Sequence, residues 1–183
     1  SGGRASAEAV CSHDLVLLQE THGDLHDLAN LQHIFPRHLL RGCFAEAGRW
    51  GGLVYIVDIK LVAKYTDNLD LIVLHTLVPG RLARLVFPGS DELVQLKVFN
   101  LHFEVGLQAC DPGLYRARFA LADLLLGAFS DRRIAHSIVA GDWNTTASDD
   151  PRLNPIEGTF RPGRSTISRH IEARLTNFNE LFQ

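Results

Sequence analysis

Apolar residues in this chain come in short runs separated by polar turns, with one longer stretch of helical spacing near each end of the strand-rich middle. DLVLLQE, Asp14 to Glu20, is a brief apolar run and reads as a buried strand. From His22 to Phe35, Leu25, Leu28 and Leu31 recur at helical spacing, and Pro36 closes the segment. The glycine-rich Gly48 to Gly52 leads into LVYIVD, a second strand. Leu69 to Val78 and Arg81 to Phe87 flank the turn signal Pro79-Gly80 and read as neighbouring strands. Leu93 to Glu104 is the longest strand candidate. A helix is expected from the Arg116-Ala117-Arg118 start through Phe129, with Pro112-Gly113 as a turn before it. SIVAGDWN, ending at Asn144, is the next strand. A long polar loop follows, then a helix from about Ser168 to Phe182. Arg4 to Ser12 also has helical composition. There is no internal repeat and no low-complexity linker, so one domain over residues 1–183 is expected, of the α/β (α+β) class with sheets covered by helices.

Three of these strands end alike. Alternate residues of a strand share a face. In the Leu93–Glu104 strand, Val94, Leu96 and Val98 are followed on one face by Asn100, His102 and Glu104. The other face, Phe99, Leu101 and Phe103, stays apolar, which predicts a central strand covered on both sides. In IVAGDWN, Ile138 and Ala140 are followed by Asp142 and Asn144; in DLVLLQE, Val16 and Leu18 by Glu20. A lone Asp or Asn at a strand end usually makes a turn. Three polar endings at the carboxyl tips of apolar strands are a different matter, because buried polar groups must be satisfied. If the three strands lie side by side, the tips form one cup of two carboxylates, two carboxamides and an imidazole. Such oxygen-rich chemistry suits Mg²⁺ or Mn²⁺ better than Zn²⁺, and serves phosphate ester hydrolysis. For His102 a hydrogen-bonded core histidine is an equally good reading.

Composition narrows this only a little. Apolar content of 46% and charged content of 21% are those of an ordinary globular protein. No window is long and apolar enough to cross a membrane, and no secretory leader is visible. The three cysteines, Cys11, Cys43 and Cys110, show no metal-ligand spacing, which favours a reducing, intracellular setting. A net charge of −3 advertises no basic field for nucleic acid. Lysine occurs only at Lys60, Lys64 and Lys97, the other cations being arginine, which suits bidentate phosphate contact; a GC-rich coding sequence explains the skew equally well. Arg161, Arg164 and Arg169, with Arg174 and His170, gather after the last strand. They are candidates for tracking a phosphate backbone, although a solvated loop and helix face accounts for them as simply. His22, His26 and His33 lack the glutamate that a metalloprotease helix carries and read as surface histidines.

The strand endings resemble a known family. DLVLLQET is similar to the "LQE" motif of the endonuclease/exonuclease/phosphatase superfamily of Mg²⁺-dependent, deoxyribonuclease I-like phosphoesterases. GGLVYIV resembles its GG-apolar strand, FNLHFE its N-x-H strand, and GDWN its GD-x-N motif, in the family's order. The resemblance implies a four-layered sandwich of two packed mixed β-sheets covered by helices. It implies Glu20 as metal ligand for Mg²⁺ or Mn²⁺ and Asp142 orienting or deprotonating the attacking water. It further implies Asn144 on the scissile phosphate or its metal, and Asn100 and His102 steadying the phosphate's developing charge. A second set is similar to the apurinic-endonuclease-like domain of non-LTR retrotransposons: LVPGR (Leu77 to Arg81), the helix after Arg116, DDPRLNP (Asp149 to Pro155) and the closing FNELFQ. That set implies DNA as substrate, a reverse transcriptase in the same parent chain and action in the nucleus; another phosphoesterase of the family would act in the cytoplasm.

The family pattern also has parts that these residues lack. Its first strand, ending in an active-site Asn, has no counterpart before the Arg4–Ser12 segment. No Ser-Asp-His triplet occurs, and no following Asp-bearing strand. The expectation is therefore a fragment, truncated at both ends, with unpaired sheet edges, weak stability and no efficient nicking. Hydrolysis of another phosphodiester (an inositol phosphate, sphingomyelin or RNA) and a decayed remnant without present function are the competing readings.

Overall fold

The computed structural model describes residues 10–46, 51–103, 112–129, 135–143, 152–154 and 159–161. The chain divides into two compact units, residues 1–103 with 131–142, and residues 104–130 with 143–183.

The first unit holds two β-sheets. In one, β1 (Leu15–Leu18), β2 (His38–Cys43) and β3 (Leu53–Asp58) pair antiparallel in the order β1-β3-β2. In the other, β4 (Val73–Val78), β5 (Leu82–Phe87), β6 (Gln95–His102) and β7 (Ala135–Asp142) lie in sequence order, antiparallel except for the parallel pair β6–β7. The α/β class expected from the pattern is what is found. A core closes between the sheets. Leu39, Leu53, Tyr55 and Val57 meet Ala83, Leu85, Phe87, Leu96 and Val98, joined by Val62 of helix α2 (Ile59–Tyr65). On the other face of the β3 sheet, Leu40, Val54 and Ile56 pack with Leu28 and Leu31 of helix α1 (Leu25–Ile34). Strand β3 is thus covered on both faces, which is why LVYIVD is an unbroken apolar run rather than an alternating one. Strand β6 is buried along its length between β5 and β7, as the apolar run of its Phe99, Leu101 and Phe103 face predicted.

In the second unit, helix α3 (Pro112–Phe129) and the short antiparallel pair β8 (Arg152–Asn154) and β9 (Thr159–Arg161) are described. Arg118, Leu121, Ala122 and Leu125 of α3 are buried at i, i+3, i+4 and i+7, one stripe of the helix. A parallel strand pair needs a crossover between its members, and α3 lies in that crossover.

Several boundaries differ from the pattern. Helix α1 starts at Leu25, because Asp24 caps it and Asp27 returns the hydrogen bond to the Asp24 backbone, a reciprocal capping box. Those backbone N–H groups of Asp27 and His26 hold the Asp24 carboxyl below the usual carboxylate range. Strand β4 begins only at Val73, since the Asn68 side chain caps a 3₁₀ turn over Leu69–Leu71. Pro112 does not make a turn before helix α3. It opens the helix, where its missing N–H is no loss. Strand β2 and helix α2 have no counterpart in the predicted elements, nor do β8 and β9, which fall in the expected polar loop. Of the helix expected over Arg4 to Ser12, Val10 and Cys11 are helical and residues 4–9 lie outside the described residues, as does the expected helix at 168–182.

Tyr55 carries its phenol into the inter-sheet core, and it is fully buried. Its hydroxyl donates to the Ala83 carbonyl at 2.7 Å and accepts from the Asn100 N–H at 3.1 Å, so a β3 side chain bridges a register pair of the opposite sheet. Burial pushes the phenol far above its ordinary pKa, so it stays protonated and able to donate. Tyr55→Phe should lower unfolding free energy by about 1–3 kcal/mol with an unchanged urea m-value, because it strips partners from buried backbone groups. A loss below about 0.5 kcal/mol would mean that the rung closes directly without the phenol.

Candidate active site

The parallel register of β6 and β7 sets His102 opposite Asp142, and Asn100 opposite Ala140. Neighbouring strands lie about 4.8 Å apart, so the tips of the two strands are brought together as the pattern required. The β6 ladder ends on the same residues: Phe103 N–H donates to the Asp142 carbonyl at 2.8 Å, and His102 N–H to the Arg81 carbonyl at 2.8 Å.

The third strand arrives differently. Strand β1 belongs to the opposite sheet and, among the described residues, pairs only with β3, so the expectation of three adjacent strands is corrected. Sheet membership is decided by partners far along the chain, which a local pattern does not contain. The β1 tip reaches the site across the core, drawn by Asn100. Asn100 is fully buried; its Nδ2 donates to the Leu18 carbonyl at 3.0 Å, and its Oδ1 accepts from Gln19 Nε2 at 2.7 Å. Its carboxamide therefore spends its hydrogen bonds on the β1 exit rather than facing solvent.

Glu20 follows directly. His102 is 2% exposed, and its Nε2 stands 3.1 Å from Oε1 of Glu20, whose side chain is 54% exposed. The contact has ion-pair distance without the alignment of a hydrogen bond. Arg81 Nη1 lies 2.7 Å from His102 Nδ1 on the other side of the ring. A guanidinium only donates, so Nδ1 accepts, and in the neutral imidazole the ring proton sits on Nε2, the nitrogen nearest Glu20. The Glu20 backbone is unusual: φ is +52° there and +46° at His22, a region that non-glycine residues enter at a cost of about 1–3 kcal/mol each. Backbone bonds hold it in place, Thr21 N–H to the Gly52 carbonyl at 3.3 Å and His22 N–H to the Gly51 carbonyl at 3.2 Å.

Among the described residues, no group of three or more His, Cys, Asp or Glu side chains is gathered to hold a metal ion. What the chain offers a cation is a half-exposed, backbone-positioned carboxylate at Glu20, with the exposed Asp142 one strand beyond His102. That donor set fits Mg²⁺ or Mn²⁺, hard ions that keep several waters and take one or two carboxylates, and it does not fit a closed thiolate or imidazole cage. Asn144, Arg164 and Arg169 lie outside the described residues. Arg161 ends β9 in the second unit. Sequence reasoning gave no role to Tyr55, Gln19 or Arg81. Gln19 and Arg81 do stand inside the quoted LQE and LVPGR segments, and Tyr55 is the single hydroxyl in an apolar strand.

The model of the Endonuclease/Exonuclease/phosphatase family matches residues 4–180. The chain belongs to this family. No curated protein sequence matches it. Among solved structures it resembles an AP endonuclease from Leishmania major (TM-score 0.67, 15% identity, 96% of this chain and 60% of that one). It also resembles a 3′ phosphatase from Neisseria bound to product DNA hairpin (TM-score 0.63, 15% identity, 97% and 66%). A third neighbour is an AP endonuclease from Archaeoglobus fulgidus (TM-score 0.56, 14% identity, 91% and 61%). At such identities the likeness is one of fold. The chain spans 60% and 66% of the length of the first two.

One glycine beside this candidate site is sterically obligatory. Gly141 has φ +149°, and a Cβ there would fall inside the Leu101 backbone of β6. Gly141→Ala should therefore destabilise by roughly 3 kcal/mol or more and part Asp142 from His102. Gly127→Ala, on α3 with open space at the Cβ position, should stabilise by about 0.5–1 kcal/mol. Urea unfolding of both variants checks the contrast; equal effects would refute it.

Proposed function

We propose that the protein to which these residues belong is a divalent-metal-dependent phosphodiester hydrolase acting on DNA. The observation that carries this reading is the juxtaposition of Glu20, His102 and Asp142 at the ends of strands from two sheets. Family membership and a structural neighbour that was solved with product DNA support it. Glu20 would hold the cation. Bound Mg²⁺ or Mn²⁺ would neutralise charge on the phosphate oxygens. Asp142, exposed at the tip of β7, orients the attacking water or accepts its proton; Asn144, two residues on, holds the scissile phosphate. His102 keeps Glu20 in place, and Asn100 keeps the β1 exit in place. Arg161, Arg164 and Arg169 are assigned to the DNA backbone.

The reading extends to DNA nicking for a non-LTR retrotransposon, in the nucleus, with a reverse transcriptase in the same parent chain. Its support is the second motif set, Leu77 to Arg81, Asp149 to Pro155 and Phe178 to Gln183. A polymerase coding region downstream in the transcript is the expected finding, and unrelated sequence there would refute this extension.

Plasmid nicking by the protein that carries these residues should require Mg²⁺ or Mn²⁺ and stop with EDTA. Asp142→Asn should lower kcat by about 10²–10⁴-fold. Turnover indifferent to EDTA or to that substitution would overturn the assignment. Hydrolysis of inositol phosphates with DNA untouched would replace the substrate and keep the chemistry.

A further inference from the structure

Resting on that reading of the site, we infer that Arg81 is a positioning residue. It holds the His102 imidazole in the tautomer protonated on Nε2, the nitrogen 3.1 Å from Glu20 Oε1, and through that ring it sets the carboxylate that takes the cation. Arg81 is fastened to His102 twice. Its carbonyl accepts from His102 N–H at 2.8 Å, and its Nη1 donates to His102 Nδ1 at 2.7 Å. Backbone and side chain therefore fix both the position of the ring and the nitrogen that carries the proton.

The guanidinium has a prepared seat. A Cβ at Gly51 would stand 3.4 Å from Arg81 Nε and 2.7 Å from the Gly80 carbonyl, so the bare glycine before β3 lets the Pro79-Gly80-Arg81 turn close over it. Gly52 N–H donates to the same Gly80 carbonyl at 3.0 Å, tying the turn to the opposite sheet. Arg81 is half-buried and His102 almost wholly so, whereas the Glu20 side chain is the exposed member. The chain of contacts thus runs from a fixed turn, through a fixed ring, to the most exposed of the three groups. With Nδ1 engaged by a donor and Nε2 turned to Glu20, neither ring nitrogen offers a lone pair to the cation. His102 acts on the carboxylate alone.

Charge and positioning make opposite forecasts here. If Arg81 acted only as a nearby cation, its removal would strengthen binding of a divalent ion. If it acts as a positioning residue, its removal should weaken binding by about tenfold, the usual scale for losing a group that orients a ligand. The test has two arms. Long-range ¹H–¹⁵N NMR of the unsubstituted protein should show His102 protonated on Nε2 and bare on Nδ1, with the tautomers mixed in Arg81→Ala. Calorimetric titration with Mn²⁺ should show weaker binding in Arg81→Ala, and recovery in Arg81→Lys, which restores a donor. An Nδ1–H tautomer in the unsubstituted protein, or Mn²⁺ bound as tightly or more tightly by Arg81→Ala, overturns the inference. Failure of the underlying reading looks different: no protein in the set binds Mn²⁺, and Glu20→Gln changes nothing.

Discussion

The structure of the first unit hangs on one buried amide. Asn100 sits at the centre of the β5–β6–β7 sheet with no solvent contact, and every polar group it carries must find a partner inside the protein. Its backbone N–H goes to the Tyr55 hydroxyl of the facing sheet, its Nδ2 to the Leu18 carbonyl and its Oδ1 to Gln19. All three partners belong to β3, to β1 or to the exit from β1. Apolar packing alone brings two sheets together without fixing their register; these directional bonds supply the register, because sliding one sheet would leave several buried groups unpaired.

The consequences reach the site in short steps. With the Leu18 carbonyl pinned, Gln19 and Glu20 leave the strand at a defined point. Two residues beyond Asn100, on the same face of β6, His102 meets Glu20. One strand over, the parallel register delivers Asp142 at the level of His102. The chemistry at the rim is thus referenced to an amide two residues deeper in the core. This division, a satisfied carboxamide below and an exposed carboxylate above, is what allows a polar cluster at the mouth of an apolar sandwich.

How much of this was legible in the sequence depends on the range of the interaction. Strand parity alone set Asn100 and His102 on one face of β6, and Asp142 on the matching face of β7; the register then joined them. The Tyr55 strand and the Pro79-Gly80 turn were likewise local patterns and fell where expected. Strand β2 escaped because HLLRGC carries His38, Arg41 and Gly42 in six residues, and its strand state comes from pairing with β3 rather than from its own period. The sheet to which β1 belongs was beyond local reading for the same reason. The role of Arg81 was hidden further still, since it rests on a side chain reaching a ring twenty-one positions away.

The left-handed backbone at Glu20 and His22 is the last feature that the two-sheet arrangement explains. An isolated loop would relax away from such φ values, since side chains there crowd the backbone. Here the relaxed path is closed on both sides. Thr21 and His22 donate to Gly52 and Gly51, and Gly52 in turn donates to Gly80, so the loop is stitched to the start of β3 and, through it, to the turn that carries Arg81. Strain at the carboxylate is therefore sustained by the same turn that orients the histidine opposite it. The loop and the ring are not two independent supports for Glu20; both are anchored at residues 80 and 81, and a disturbance of that turn would reach the carboxylate by both routes at once.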